Sequence, residues 1–309
     1  MSRRRRWERN GPSGFLAVDK PQGWTSHGVV DAARRWFGTR QVGHLGTLDP
    51  LATGVLPLAI RSATKLVPFL EGGDKEYLGV IRLGEATDTL DALGTVTQAH
   101  DGSLPEEAAV RAALAEFVGD IEQVPPMFSA VKKDGVPLHR LARQGRSVDR
   151  EPKRVRIDRI EFIDHRPPDL EVAVRCSAGT YVRVLAADLG ERLGCGGHLR
   201  NLCRTRSGPF ELAMAAPVED FAAAAAAGKI EERLFPAVEV LGFPVVRLSA
   251  AEAQRVTHGG EIPAQGPPLQ PGTRLAGVEP GGELLAVLEV RPGRRLQPLR
   301  VLPLVAREG

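Results

Sequence analysis

Two adjoining segments, Val155–Ile163 and Leu170–Cys176, alternate apolar and polar residues, and that period of two confines them to half-buried β-strands. Phe15–Val18 and Tyr77–Leu83 also read as strands, and the apolar run Gly54–Ile60 as a buried one. Helical spacing appears between them. Val29, Val30, Ala33 and Phe37 recur on one face, with Ser26 as the predicted cap and Gly38 as the stop. Pro105–Phe117 reads as a second helix, capped by Ser103. A third puts Val182, Leu185, Ala186, Leu189 and Leu193 on one face, capped by Thr180 and closed by Gly194. Ala222–Ala227 before Gly228 reads as a fourth. This order predicts an α+β fold, with a mixed, largely antiparallel sheet core and flanking helices. From Pro244 onward, short apolar runs alternate with Gly and Pro turns, which predicts a small C-terminal β-barrel of about 60 residues. The boundary falls between Leu234 and Val246. The expected organisation is a flexible basic arm over 1–13, a main domain over 14–240 and a small β domain over 245–309.

The 309 residues suffice for one large domain or two. No run of 18 apolar residues occurs, so no membrane span is expected. Arg3–Arg6 is followed by no apolar stretch before Asp19, which argues against a secretory signal. Three cysteines are too few for a disulfide scaffold and point to a reducing cytoplasm.

Charge is segregated along the chain. Residues 1–10 carry five Arg and one Glu. Glu71–Glu122 holds twelve acids and three bases, Val131–Ile160 ten bases and four acids, and Arg192–Arg206 four Arg and no acid. Polarised positive faces attract phosphate backbones, although a charge run also reads as a solvated face. Of 41 bases 34 are Arg, the residue suited to bidentate phosphate contacts. Metal and cofactor chemistry finds little support. Cys195, His198 and Cys203 match no usual zinc spacing, and neither a nucleophile elbow, a phosphate loop nor a dinucleotide fingerprint occurs. Neither a metal nor a cofactor is expected.

Two segments carry chemistry. In Gly43-His44-Leu45-Gly46-Thr47-Leu48-Asp49-Pro50-Leu51-Ala52-Thr53-Gly54 a single carboxylate sits in a loop whose glycines permit turning and close approach to a ligand. Asp before Pro is also an ordinary turn residue. In Cys176-Ser177-Ala178-Gly179-Thr180-Tyr181-Val182-Arg183 a strand passes into a helix with Arg183 in its first turn, where the dipole disfavours a cation. A compensating anion is expected there, with its pKa lowered. An exposed Arg on a helix surface is the plainer reading.

These residues carry a family resemblance. Val18-Asp19-Lys20-Pro21-Gln22-Gly23-Trp24-Thr25-Ser26 and Gly43–Leu56 are similar to the first two motifs of the TruB pseudouridine synthases, which act on uridine 55 of tRNA. Lys75-Glu76-Tyr77, Val124-Pro125-Pro126-Met127-Phe128-Ser129-Ala130-Val131-Lys132, Cys176–Arg183 and His198–Phe210 resemble the later ones, and the β-rich C-terminus resembles a PUA domain, a small RNA-binding barrel. The resemblance implies that Asp49 is the catalytic aspartate. It detaches uracil from ribose, and the base rejoins through C5. The routes open to it are covalent attack on the sugar or on the base, or removal of the C2′ proton to give a glycal. By the same resemblance, Tyr77 stacks on the extracted base, Arg183 pairs with Asp49, Tyr181 and Leu202 line the base pocket, and His44 enters the T loop. The insertion around 124–152 clamps RNA, and its Lys132, Lys133, Arg140, Arg143 and Arg146 contact the backbone. Leu45 and Ala178 depart from the usual small or polar residue and Lys. The implied partner is the tRNA T stem-loop, with no membrane, no obligatory protein partner and a monomeric enzyme. Two rivals are a tRNA folding factor that binds without needing catalysis and the catalytic subunit of a guide-RNA particle.

Overall fold

The computed structural model describes residues 11–302 apart from 130, 134, 143 and 147. In chain order the main body holds β1 (Gly14–Lys20), α1 (Ser26–Trp36), β2 (Val42–His44), β3 (Thr53–Ile60), β4 (Lys75–Leu83), α2 (Glu107–Glu116), β5 (Gly119–Gln123), β6 (Lys153–Arg166), β7 (Asp169–Cys176), α3 (Val182–Arg192), β8 (Gly197–Ser207), β9 (Phe210–Glu211), β10 (Ala216–Pro217) and α4 (Val218–Ala226). One ten-stranded sheet runs β10-β1-β3-β8-β4-β7-β6-β5, with β2 added to β3 and β9 to β8. Its pairs are antiparallel except β1 with β10 and β3 with β8, so the sheet is mixed and largely antiparallel.

The alternation in β4 and β7 buries every second residue, among them Tyr77, Ile81, Leu170, Val172 and Val174. The helices cover that face, joining Val29 of α1, Val110 of α2, Leu185 of α3 and Phe221 of α4 in one core. β3 is buried on both faces, as its unbroken apolar run requires. Its second face, with Phe15 and Ala17 of β1, packs against Leu66 and Phe210.

The C-terminal part holds β11 (Val245–Arg247), α5 (Ala250–Thr257), β12 (Ile262–Pro263), β13 (Arg274–Val278), β14 (Leu284–Arg291) and β15 (Arg295–Val301). Its five strands run β11-β13-β14-β15-β12 around a core of their own. Turn spacing did not indicate α5, which Ser249 and Glu252 start with a reciprocal capping box. Val287 and Leu302 of this part enter the Phe15 cluster of the main body.

Three predicted caps are corrected. Thr25, not Ser26, caps α1, accepting from the Gly28 N–H at 2.9 Å. The Ser26 hydroxyl is engaged elsewhere, accepting from the Leu48 N–H at 2.8 Å and donating to the Leu48 carbonyl at 2.9 Å. Tyr181 rather than Thr180 occupies the cap position of α3, because the Thr180 hydroxyl donates back to the Ser177 carbonyl. The second helix spans Glu107–Glu116 rather than Pro105–Phe117. Glu106 stands at its cap without a side-chain bond, so Ser103 plays no part. The region read as a loop from Gly43 begins as β2, and the long strand β8 escaped the sequence reading. Of the arm expected over 1–13, only 11–13 lie within the described residues, and the Pro12 carbonyl accepts from Arg61 Nη1 at 2.8 Å. Lys132–Lys133 pairs with Val136–Pro137, and Asp134 between them lies outside the described residues.

The parallel contact of β3 with β8 depends on one glycine. Gly54 has φ +97°, and a Cβ there would lie 2.3 Å from the Arg204 carbonyl oxygen. Gly54→Ala is expected to cost about 2–4 kcal/mol through backbone strain and forced separation of the strands. Urea unfolding measures it, and a loss below about 1 kcal/mol would show that the strands separate freely.

Candidate active site

Register places the start of β3, the start of β4, the end of β7 and the middle of β8 side by side: Gly54 faces Arg204, and Tyr77 lies between Arg204 and Val174. The loop before β3 and the turn after β7 close over this end of the sheet. They enclose a cleft of about 310 Å³ lined by Asp49, Tyr77, Tyr181, Arg183, Leu202 and Arg204, among others.

The Asp49 loop is fastened on several sides. The Leu45 N–H bonds to the Pro57 carbonyl at 2.9 Å, and the Leu45 side chain is buried, so its bulk serves packing below the loop. Leu48 is held by Ser26, and the Pro50 carbonyl accepts from the Gly23 N–H at 2.8 Å. Beneath the loop Arg204, 1 % exposed, donates to the carbonyls of Val55 at 2.9 Å, Gly46 at 3.1 Å and Thr47 at 3.4 Å. Its guanidinium also interacts with the Tyr77 hydroxyl, whose residue pairs with Arg204 across the two strands. Gly46, at φ +89°, supplies the turn that aims its carbonyl at this guanidinium.

Arg183 enters from the first turn of α3. It is 4 % exposed, which rules out an exposed surface arginine. Nη2 lies 3.3 Å from Asp49 Oδ2 and donates to the Phe128 carbonyl at 2.6 Å. Nη1 lies 3.9 Å from Oδ2 of Asp91, a buried carboxylate held by the Thr89 hydroxyl at 2.7 Å and the Leu93 N–H at 3.0 Å. The anion expected from the helix dipole is therefore a pair of carboxylates on separate chain segments.

The expected depression of the Asp49 pKa is corrected. Burial pushes this carboxyl above its usual range; Arg183 pulls it down, Asp91 pushes it up and Lys20 pulls it down, but desolvation dominates. Burial likewise raises the Tyr77 phenol and lowers the Lys75 ammonium to about 8. Lys20 also falls to about 8 through burial, despite donating to the Trp24 carbonyl at 2.7 Å.

Asp49, Tyr77, Tyr181, Arg183 and Leu202 thus meet in one cleft. His44 does not line it; it sits half-buried on β2 opposite Leu58, and its Nδ1 finds no hydrogen-bond partner among the described residues. Ala178, which departs from the family's usual Lys, lines the cleft. In the insertion, Arg140 and Arg146 are exposed, and Lys133 Nζ donates to the Asp149 carbonyl at 2.5 Å. Lys132 lies on a short strand, and Arg143 is outside the described residues. Sequence reasoning missed Arg204, Asp91 and Lys75. Arg204 lay within the acid-free Arg192–Arg206 run, and Lys75 inside a quoted motif. Asp91 was hidden among the acids of Glu71–Glu122. His198 is bonded through Nδ1 to the Glu85 carbonyl at 2.9 Å, and among the described residues no His/Cys/Asp/Glu cluster has metal-binding geometry. No helix of the described residues is long and apolar enough to cross a membrane.

An acid whose folded pKa exceeds its unfolded value, about 3.9 for Asp, binds more protons folded than unfolded between the two values. Ionised Asp49 therefore costs stability above its raised pKa, and that cost disappears below about pH 4. Asp49→Asn is expected to raise Tm at about pH 8 and to lose the advantage on acidification towards pH 4. Lower stability than the parent at the higher pH would contradict this.

The chain matches three family models. Residues 34–182 match the TruB family pseudouridylate synthase N-terminal domain, 183–241 the tRNA pseudouridylate synthase B C-terminal domain, and 243–303 the tRNA pseudouridine synthase II C-terminal domain. It is 49 % identical over 251 residues to a tRNA pseudouridine synthase B of Geotalea uraniireducens (strain Rf4), covering 81 % of each chain. It is 44 % identical over 298 residues to that of Burkholderia mallei (strain ATCC 23344), covering 95 % of each. Among solved structures, one described as a Cbf5-Nop10-Gar1 complex matches with TM-score 0.69 at 27 % identity, over 93 % of this chain and 84 % of that one. An H/ACA RNP bound to a substrate RNA containing 2′-deoxyuridine shares the fold, with TM-score 0.70 at 24 % identity over 95 % of this chain and 86 % of that one.

Proposed function

The chain belongs to the TruB family of pseudouridylate synthases and is a tRNA pseudouridine synthase, and from that premise we propose that Asp49 carries the isomerisation at uridine 55 of the T loop. The observation that supports this reading is the Arg183–Asp49 contact of 3.3 Å inside a cleft that also holds Tyr77. A carboxylate pushed up by burial is a reactive one. Once uracil displaces water, desolvation grows, and the Arg183 guanidinium keeps Asp49 ionised for attack or for C2′ proton removal. Tyr77, paired with Arg204 across the strands and kept phenolic by burial, offers its ring as a stacking surface. Unstacking a base costs a few kcal/mol, and aromatic stacking returns about 1–3 kcal/mol. Tyr181 and Leu202 complete the walls of the base pocket.

Outside the cleft, His44 enters the T loop as the uridine leaves it. The insertion lies along the RNA backbone through Lys132, Lys133, Arg140, Arg143 and Arg146, contacts that position the substrate without reading its sequence. The C-terminal sheet holds the acceptor end. The enzyme acts as a monomer in the cytoplasm, with the folded T stem-loop as its recognition element. Identities of 41–49 % to proteins named tRNA pseudouridine synthase B, against 24–27 % to structures of H/ACA or Cbf5 complexes, favour a stand-alone enzyme over a guide-RNA subunit.

Tritium release from tRNA labelled at C5 of uridine tests this, since the new bond expels that hydrogen. Release by the parent and none by Asp49→Asn, with tRNA still bound by both, is the expected result. Turnover by Asp49→Asn near that of the parent would remove Asp49 from the chemistry.

A further inference from the structure

Arg183 can meet Asp49 only if the start of α3 is held in one orientation, and the helix does not hold itself. Tyr181 stands at its cap position, where a phenol forms no capping bond, so the first turn lacks the side-chain acceptor that Ser, Thr, Asn or Asp would give. The missing anchor comes from another strand. Gln123, the last residue of β5, is 2 % exposed, and both ends of its amide bond the backbone of Tyr181. Its Oε1 accepts from the Tyr181 N–H at 2.9 Å, and its Nε2 donates to the Tyr181 carbonyl at 3.3 Å. That carbonyl also accepts from the Val184 and Leu185 N–H groups, each at 3.1 Å, so Gln123 grips the peptide on which the helix begins.

The same side of the helix start is held by residues that follow Gln123. The Phe128 carbonyl accepts from Arg183 at 2.6 Å, and buried Ser129 lines the cleft beside Tyr181. Only the Gln123 contact acts through main chain at the cap, two residues before Arg183. We propose that Gln123 is a positioning residue for isomerisation, setting through the Tyr181 backbone the direction from which Arg183 meets Asp49. This rests on the reading of Asp49 as the reacting carboxylate. Gln123 touches neither the cleft nor the ion pair, and it acts on the chemical step rather than on RNA affinity.

The charged or titratable groups facing Asp49 are Arg183 from α3, Asp91 from the loop after β4, Lys20 from β1, Tyr77 from β4 and Tyr181 at the helix start. Of these, Arg183 and Tyr181 belong to the segment that Gln123 holds. Loosening that segment weakens the Arg183–Asp49 attraction and moves the Asp49 titration upward. Gln123→Met keeps the bulk and loses both bonds. In single-turnover assays on tRNA, its rate is expected to fall about tenfold or more with Kd for tRNA within about twofold, and the acidic limb of its pH–rate profile to move to higher pH. Gln123→Glu, which keeps the acceptor for the Tyr181 N–H, is read in the same way if the Met variant melts below assay temperature. A rate within about twofold of the parent, or a fall in rate and affinity together with no movement of the acidic limb, overturns the proposal. Tritium release by the parent with an unaltered Gln123 variant sinks this inference alone. No release by the parent sinks the reading of the site on which it rests.

Discussion

Arg183 carries a full charge where water scarcely reaches, and much of the site is arranged around that fact. A buried guanidinium left without partners is costly. The helix dipole at its position adds to the penalty. Compensation comes from three directions: Asp49 on the loop before β3, Asp91 on the loop after β4, and the Phe128 carbonyl at the root of the insertion. Three chain segments distant in sequence are thereby drawn to one point. Asp49 is the less buried of the two carboxylates, its side chain 36 % exposed against 6 % for Asp91, so it both answers the guanidinium and faces the cleft.

A second buried guanidinium supports the opposite side of the same loop. Arg204 ties Val55, Gly46 and Thr47 together. It reaches them because β8 runs parallel to β3 at the one place where a glycine lets the backbones touch. The two arginines act differently. Arg204 binds carbonyls and builds the loop, whereas Arg183 reaches two carboxylates beside the Phe128 carbonyl and pulls the Asp49 pKa down against burial. Burial and Arg183 pull the Asp49 titration in opposite directions, and a site balanced in this way responds strongly when a substrate excludes water.

The sheet core was legible because alternation in Val155–Ile163 and Leu170–Cys176 and the unbroken run Gly54–Ile60 each have one physical outcome. β8 was not, since its buried residues include His198, Arg204 and Ser207, and polar side chains break the alternation that marks a strand. The cap of α1 failed by one residue for a tertiary reason: the Ser26 hydroxyl that looked like a cap is taken by Leu48, twenty-two positions away. The need of Arg183 for an anion could be read from its place in the first turn, yet the sign of the Asp49 shift could not, because desolvation depends on walls assembled from distant segments. Asp91 and Gln123 were invisible for the same reason. Each is an ordinary residue locally, and only the fold brings it to Arg183 or to the helix that carries it.

The central claim is that Arg183 holds Asp49 in its reactive, ionised form. The measurement that tests it most directly is the pH dependence of the single-turnover rate of Arg183→Met, with tRNA affinity determined on the same samples. The account predicts a rate loss well in excess of any loss in affinity and an acidic limb displaced to higher pH. An unchanged rate, or a loss confined to affinity with the acidic limb in place, would contradict it.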